Sequence, residues 1–345
     1  MKKRFPWYNL LLLAAGLLIV MVWAISVGSA DLSMIVSWKM VIGKIPGLKK
    51  LVDISEFGKN YEMIIWHVRM PRLIMAALAG GSLAMVGATF QGIFQNSLAD
   101  PHILGVSSGA ALGATLAMVT GISLNFWGLG TVGIFAFAGA MVTVLAVYRV
   151  AKISGEISTT NMLLTGTAIS TLLSSLMSLI MTFNHDQISK VYMWTMGSFS
   201  SASWDRVIFM AVFSVIGALL MILYSGKLNI LMMGDEDAKS LGLDADRIRV
   251  ILIVISSLLV AAAVSVSGVI GFVGLIIPHC VRMISGSDNR KLIPYVWFVG
   301  AVFMIFCDTI ARTIAAPTEI PVGVITAVFG APYFIFLVLT RRRRF

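Results

Sequence analysis

Ten apolar stretches recur along the chain between short polar turns. They run about Leu10–Val27, Pro71–Gly92, Ile103–Val119, Val132–Val150, Asn161–Phe183, Val207–Tyr224, Val250–Val266, Ile270–Met283, Ile293–Ile310 and Pro321–Leu339. A helix needs roughly 20 apolar residues to cross a bilayer, so the pattern predicts an all-α integral membrane protein. Residues 1–345 are read as a single bundle of about ten transmembrane helices. Basic residues punctuate alternate turns: Lys2-Lys3-Arg4, then Arg149 and Lys152, then Arg282, Arg290 and Lys291, then Arg341 to Arg344. Positive charge stays on the cytoplasmic side, which places both termini inside.

The first stretch, with Gly28-Ser29-Ala30 behind it, has the look of a signal peptide. Its apolar run exceeds the 7–15 residues of such a segment, so an uncleaved first span is expected. Residues 31–62 form a long outer connection in which Lys39, Lys44, Lys49, Lys50 and Lys59 alternate with Trp38, Met40, Val41, Ile42 and Leu48. That mixture reads as a short amphipathic piece lying at the interface.

Composition agrees: 58% of residues are hydrophobic and 12% charged, with a mean hydropathy of +0.93. The net charge of +10 sits beside apolar spans, a sign of membrane orientation and not of a nucleic-acid surface. Cys280 and Cys307 lie in apolar surroundings, and His67, His102, His185 and His279 are scattered, so no metal site or cofactor is expected. Twenty-one methionines read as filler of membrane helices. The chain has no phosphate-binding G-x-x-x-x-G-K-[ST] and cannot hydrolyse ATP by that route. All sixteen acids fall in loops or within about two turns of a span end, which disfavours an ion-driven secondary carrier, kept as the alternative from another class.

Several stretches carry candidate chemistry. Gly80, Gly81, Ser82, Gly87 and Gly92 would let neighbouring helices approach closely. Gly-Ala-Thr-Phe-Gln-Gly followed by Pro101-His102, and Gly268–Gly274 followed by Pro278-His279, suggest two interrupted units of opposite direction. Breaks near Pro101, Pro278 and 317–321 must be covered by protein, predicting a tight bundle with the tenth span packed centrally. Arg69 and Arg72 flank Pro71 at a helix N-terminus, where the macrodipole opposes positive charge. They are therefore either anchors or functional, as is Arg312, with Asp308 four residues before it to orient or partly neutralise it. Thr167, Thr171, Ser175, Ser178 and Thr182 share one helical face, directed at a neighbouring helix or at a path for polar cargo. Ser158-Thr159-Thr160 is a good N-cap for that helix. In the inner loop of about 225–249, Gly234, Asp235, Glu236, Ala238, Leu241 and Gly242 outline a short helix with an acidic start and a glycine stop. It is either a solvated turn or an insert for a separate motor subunit.

The stretch from Arg69 to Ala111 resembles the signature region of the FecCD-type permeases, the membrane subunits of type II ABC importers for ferric siderophores, haem and cobalamin. The likeness continues through Gly271–His279, Asp308 with Ala311 and Arg312, Glu319–Gly323 and Gly330-Ala331-Pro332; the lysine-bearing outer loop is the least similar part. The resemblance implies a cobalamin-permease-like bundle in a bacterial cytoplasmic membrane, with no covalent chemistry of its own. Its partners would be two ATP-binding subunits, a second permease subunit (the same chain or a homologue) and an extracytoplasmic substrate-binding protein. It implies that Arg69, Arg72 and Arg312 receive acidic residues of that binding protein. It also implies that the Thr167–Thr182 face lines the pathway, that Ser158, Thr159 and Thr160 form the cytoplasmic gate, and that 234–242 docks on the ATPase. The expected cargo is a ferric siderophore, with haem or cobalamin as the alternative.

Overall fold

The computed structural model describes residues 7–28, 33–43, 59–153 and 159–341. Among them helices dominate. Helix α1 (Trp7–Ser26) precedes a short α2 (Met34–Ile42); the lysines at 44, 49 and 50 lie outside the described residues. Helix α3 (Lys59–Met63) runs through one π turn, Ile64–Arg69, into α4 (Met70–Ile93). A 3-10 turn at Pro101–Leu104 leads to α5 (Val106–Thr120), and a tight hairpin (β1, Asn125–Phe126; β2, Leu129–Gly130) leads to α6 (Thr131–Ile153). Then come α7 (Thr159–Thr182), α8 (Ile188–Thr195), α9 (Trp204–Leu231), α10 (Asp235–Ser240), α11 (Ala245–Ser267), α12 (Val273–Ser285), α13 (Asn289–Thr313) and α14 (Val322–Arg341).

Seven of these helices are long and apolar enough to cross a membrane, and Val106–Thr120, Val273–Ser285 and Val322–Leu337 are shorter apolar helices. They coincide with the ten expected stretches. Helices α5 and α12, of 15 and 13 residues, are too short to cross alone at 1.5 Å per residue.

The centre of the bundle is α4, apolar all round and almost wholly buried. Its small residues set how near its neighbours come. A Cβ on Gly80 would lie 2.4 Å from the Gly300 carbonyl oxygen of α13, and one on Gly87 would lie 1.9 Å from that of Gly274 in α12. Ser82 donates a 3.0 Å hydrogen bond to Ser214 of α9, so polarity is satisfied where the backbones close up.

The two interrupted units meet in space. Pro101 packs on Gly274, and the Gln91 amide donates to the Leu275 carbonyl at 3.1 Å. His102 donates through Nε2 to the Ile270 carbonyl at 3.0 Å and accepts from Ser107 through Nδ1, which fixes its tautomer. The second break differs from expectation. It falls at Gly268–Phe272, where Gly268 and Phe272 both have φ of 70°, while Pro278 sits inside α12. Nor is the tenth span central: α14 packs on α12 and α13 and leaves Val328, Ile335 and Phe336 exposed. The centre is taken by α4, whose glycines admit closer neighbours than the bulky residues of α14 allow.

Candidate functional site

Three groups of expected site residues occupy separate places. At about 36 Å for its 24 residues, α4 reaches from one end of the bundle to the other. Arg69 and Arg72 mark one end; at the other, Gln95 donates to the Leu231 carbonyl beside α10.

At the arginine end the sequence separates what the fold gathers. Arg69, Arg72 and Arg312 are 6, 8 and 9% exposed, so they are not loose surface anchors. The last turn of α1 leaves carbonyls without helical partners, and two of the arginines satisfy them. Arg69 donates from Nη1 to the Ile25 carbonyl at 2.5 Å, and Arg312 from Nη2 to that of Ala24. Cations at a helix C-terminus also complement its macrodipole, so Arg69 and Arg312 serve that of α1. The expected N-terminal placement of Arg69 and Arg72 does not hold, because their helix already begins at Lys59 and runs without a break into α4. Gly28 lies against both guanidiniums, and a Cβ there would come within 2.8 Å of Arg69 Nη2.

Arg72 is held by two carboxylates. Its Nε and Nη2 bind Asp308 at 3.0 and 2.9 Å, and Nη1 binds both oxygens of Glu319 at 2.8 and 3.0 Å. Asp308 is fully buried, whereas the Glu319 side chain is 41% exposed. Asp308 was expected to orient or partly neutralise Arg312. Its principal partner is Arg72, and Arg312 Nε lies 4.0 Å away. The role of Glu319 was missed because its partner is 247 residues distant; the only signal was its place in the Glu-Ile-Pro motif.

On α7 the five hydroxyl residues share one face, which no helix covers among the described residues. Thr167, Thr171, Ser175, Ser178 and Thr182 are all exposed. Each donates to a carbonyl of the preceding turn, at 2.9–3.1 Å, which leaves its oxygen lone pairs directed outward. The opposite face is fixed by Gly166 against the Ile103 carbonyl. Ser158 lies outside the described residues; Thr159 begins α7 and Thr160 is exposed.

The third group forms α10. Gly242 has φ of 75°, its N–H donates to the Lys239 carbonyl, and the Leu243 N–H donates to that of Ala238, both at 2.9 Å. This is the Schellman stop expected of a glycine at that place. Ala238 is buried beneath the turn, while Met233, Glu236, Leu241 and Gly242 are exposed. Asp235 is engaged within the chain: Arg249, 4% exposed, binds it at 2.6 Å and Asp246 at 2.9 Å, fastening α10 to α11. Among the described residues, no three His, Cys, Asp or Glu side chains gather as a metal site would require.

The model of the FecCD transport family matches residues 16–340. The chain belongs to the FecCD transport family. It is 41% identical to the cobalamin import system permease protein BtuC of Halobacterium salinarum over 291 residues, 84% of this chain and 77% of that one. It is 36% identical to the Fe(3+)-citrate import system permease protein YfmD of Bacillus subtilis, covering 91% of this chain and 89% of that one. A solved structure described as an inward-facing conformation of a metal-chelate type ABC transporter superposes with a TM-score of 0.83 at 32% identity, covering 96% of this chain and 99% of the other. The protein is thus a multi-pass membrane permease of the type II ABC importer family and not an enzyme; ATP hydrolysis belongs to separate subunits. That excludes the secondary carrier. As an ABC permease, this FecCD protein associates with ATPase and permease partners.

Proposed function

We propose that this FecCD permease imports a preformed metal chelate, a ferric siderophore, across a bacterial cytoplasmic membrane with both termini inside. The observation that carries the reading is the exposed hydroxyl face of α7. It offers neutral hydrogen-bonding groups along a whole span and no ionised ligand. Such a wall suits a bulky cargo whose metal is already wrapped. A bare cation needs a cluster of oxygen, nitrogen or sulfur ligands. A row of outward lone pairs in lipid gains nothing, so α7 is assigned to a pathway between two permease subunits, with Thr159 and Thr160 at its cytoplasmic gate.

A loaded extracytoplasmic binding protein docks at the arginine end, where three buried guanidiniums face two carboxylates and a net positive charge remains. At the other end, Met233, Glu236 and Leu241 of the α10 loop insert into a groove of the ATPase, and Gly242 shapes the turn that presents them. Closure of the ATPase pair on ATP moves these loops and switches the gates in alternation. The loop is fit for that task because Arg249 ties it to α11, so a push on α10 is delivered to a span.

Cobalamin is the second reading, favoured by the 41% identity to a cobalamin permease. Deletion of the gene, followed by uptake of radio-iron siderophores, haem and labelled cobalamin side by side, separates them. Loss of a ferric-siderophore flux supports the proposal; loss of cobalamin or haem flux alone replaces the cargo.

A further inference from the structure

The proposed docking site presents a difficulty that is itself informative. Every nitrogen of Arg72 already has a carboxylate: Asp308 takes Nε and Nη2, and Glu319 takes Nη1. The two carboxylates are not equivalent. Asp308 is fully buried and holds its side of the fork from within α13, while Glu319 stands in the exposed stretch before α14 with 41% of its side chain open.

Glu319 also begins a segment that ties several elements together. The Ile320 N–H donates to the Ala311 carbonyl of α13, the Val322 N–H to Gly197 and the Gly323 N–H to Met196, each at 3.0 Å. Met196 and Gly197 directly follow α8, and Ser198 donates to the Ser267 carbonyl at the end of α11 at 2.7 Å. Arg72 therefore anchors, through Glu319, the joint at which α8, α11, α13 and α14 meet.

We propose that Arg72 is a carboxylate-exchange site: Glu319 occupies it in the undocked permease, and an acidic side chain of the docking protein displaces Glu319 and releases segment 319–323 from α4. This rests on the docking reading given above. Exchange replaces one ion pair with another of the same kind, and Asp308 stays in place throughout. Arg72 is never left as an unpaired buried charge, the step that makes breaking such pairs costly. The incoming charge is detected as a change in what holds the segment before α14 to α4, so docking reaches α14 without any motion of the buried core.

The test uses the permease–ATPase complex in nanodiscs and the host's extracytoplasmic chelate-binding proteins, purified individually. Glu319→Gln removes the competitor, and affinity for the cognate binding protein is expected to rise about fivefold, the scale of a half-exposed pair. Asp186→Asn, an exposed acid beside α8 that does not touch Arg72, controls for net charge and leaves affinity unchanged. The effect of Glu319→Gln disappears in an Arg72→Gln background. Equal tightening by Asp186→Asn, or tightening that persists without Arg72, overturns the exchange. If Arg69→Glu with Arg312→Glu leaves affinity intact, docking lies elsewhere and the reading beneath the proposal fails. The release itself is read without any partner. In a Cys280→Ser, Cys307→Ser background, the buried Val322→Cys should react with a thiol reagent faster when Glu319 is Gln, and an unchanged rate overturns the coupling to α14.

Discussion

Asp308→Ala tests the physics of the arginine end most severely. The carboxylate is fully buried and accepts from the Nε and Nη2 of Arg72, which is itself 8% exposed, with Arg312 at 4.0 Å. Removing it leaves two largely buried guanidiniums with a single half-exposed acid nearby. Loss of one partner of a buried pair costs about 3–5 kcal/mol, most of it the desolvation of the charge left behind. Glu319→Gln removes a carboxylate from the same arginine, but its side chain is 41% exposed, water can replace it, and the cost is about 0–1 kcal/mol. The two variants therefore differ by several kcal/mol although each deletes one charge from one cluster. Folded yield and thermal midpoint of the purified complex, compared at equal lipid and detergent, give the measurement. Asp308→Ala is expected to fall far below wild type and Glu319→Gln to stay near it. Comparable losses in both would refute the argument, because burial would then not decide the value of the pair.

Three further outcomes follow from the packing and the proposed contacts. Gly87→Ala places a methyl where a Cβ meets the Gly274 carbonyl at 1.9 Å and should destabilise by about 1–3 kcal/mol, while Gly16→Ala, with nothing within 4 Å, should not; folded yield distinguishes them. Asp235→Ala with Asp246→Ala removes two carboxylates from Arg249, and should reduce co-purification with the ATPase more than it reduces permease yield, whereas equal losses would make the loop merely structural. Ser175→Cys, in a background lacking Cys280 and Cys307, is expected to become protected from thiol reagents when the two-permease complex holds its chelate; unaltered labelling would remove α7 from the pathway.

Much of the fold was legible because it rests on local signals. Runs of apolar residues gave the spans, and small residues on the second span gave its close neighbours. Gly242 gave the end of α10 because a left-handed residue is a local demand. What could not be read was which distant groups meet. Arg69 was read as lying at a helix N-terminus and Arg312 at the outer end of the ninth span, yet both guanidiniums reach the carbonyls of α1, 44 and 288 residues away. Asp308 was assigned to the arginine one turn on because helical spacing is visible in a sequence, whereas its stronger partner is 236 residues distant. The tenth span was placed centrally from its broken flank, but centrality depends on how near neighbours can pack, and α4 has the glycines for it.

Reconstitution tests the central claim most directly. The permease with its ATPase and binding protein would be placed in proteoliposomes, with ATP supplied on the ATPase side and a radio-iron ferric siderophore presented on the other. The account expects the intact chelate to accumulate with ATP and not without it, and to stop accumulating when the α10 loop no longer holds the ATPase. Accumulation driven by an ion gradient without ATP, or transport of free iron but not of the chelate, would contradict it.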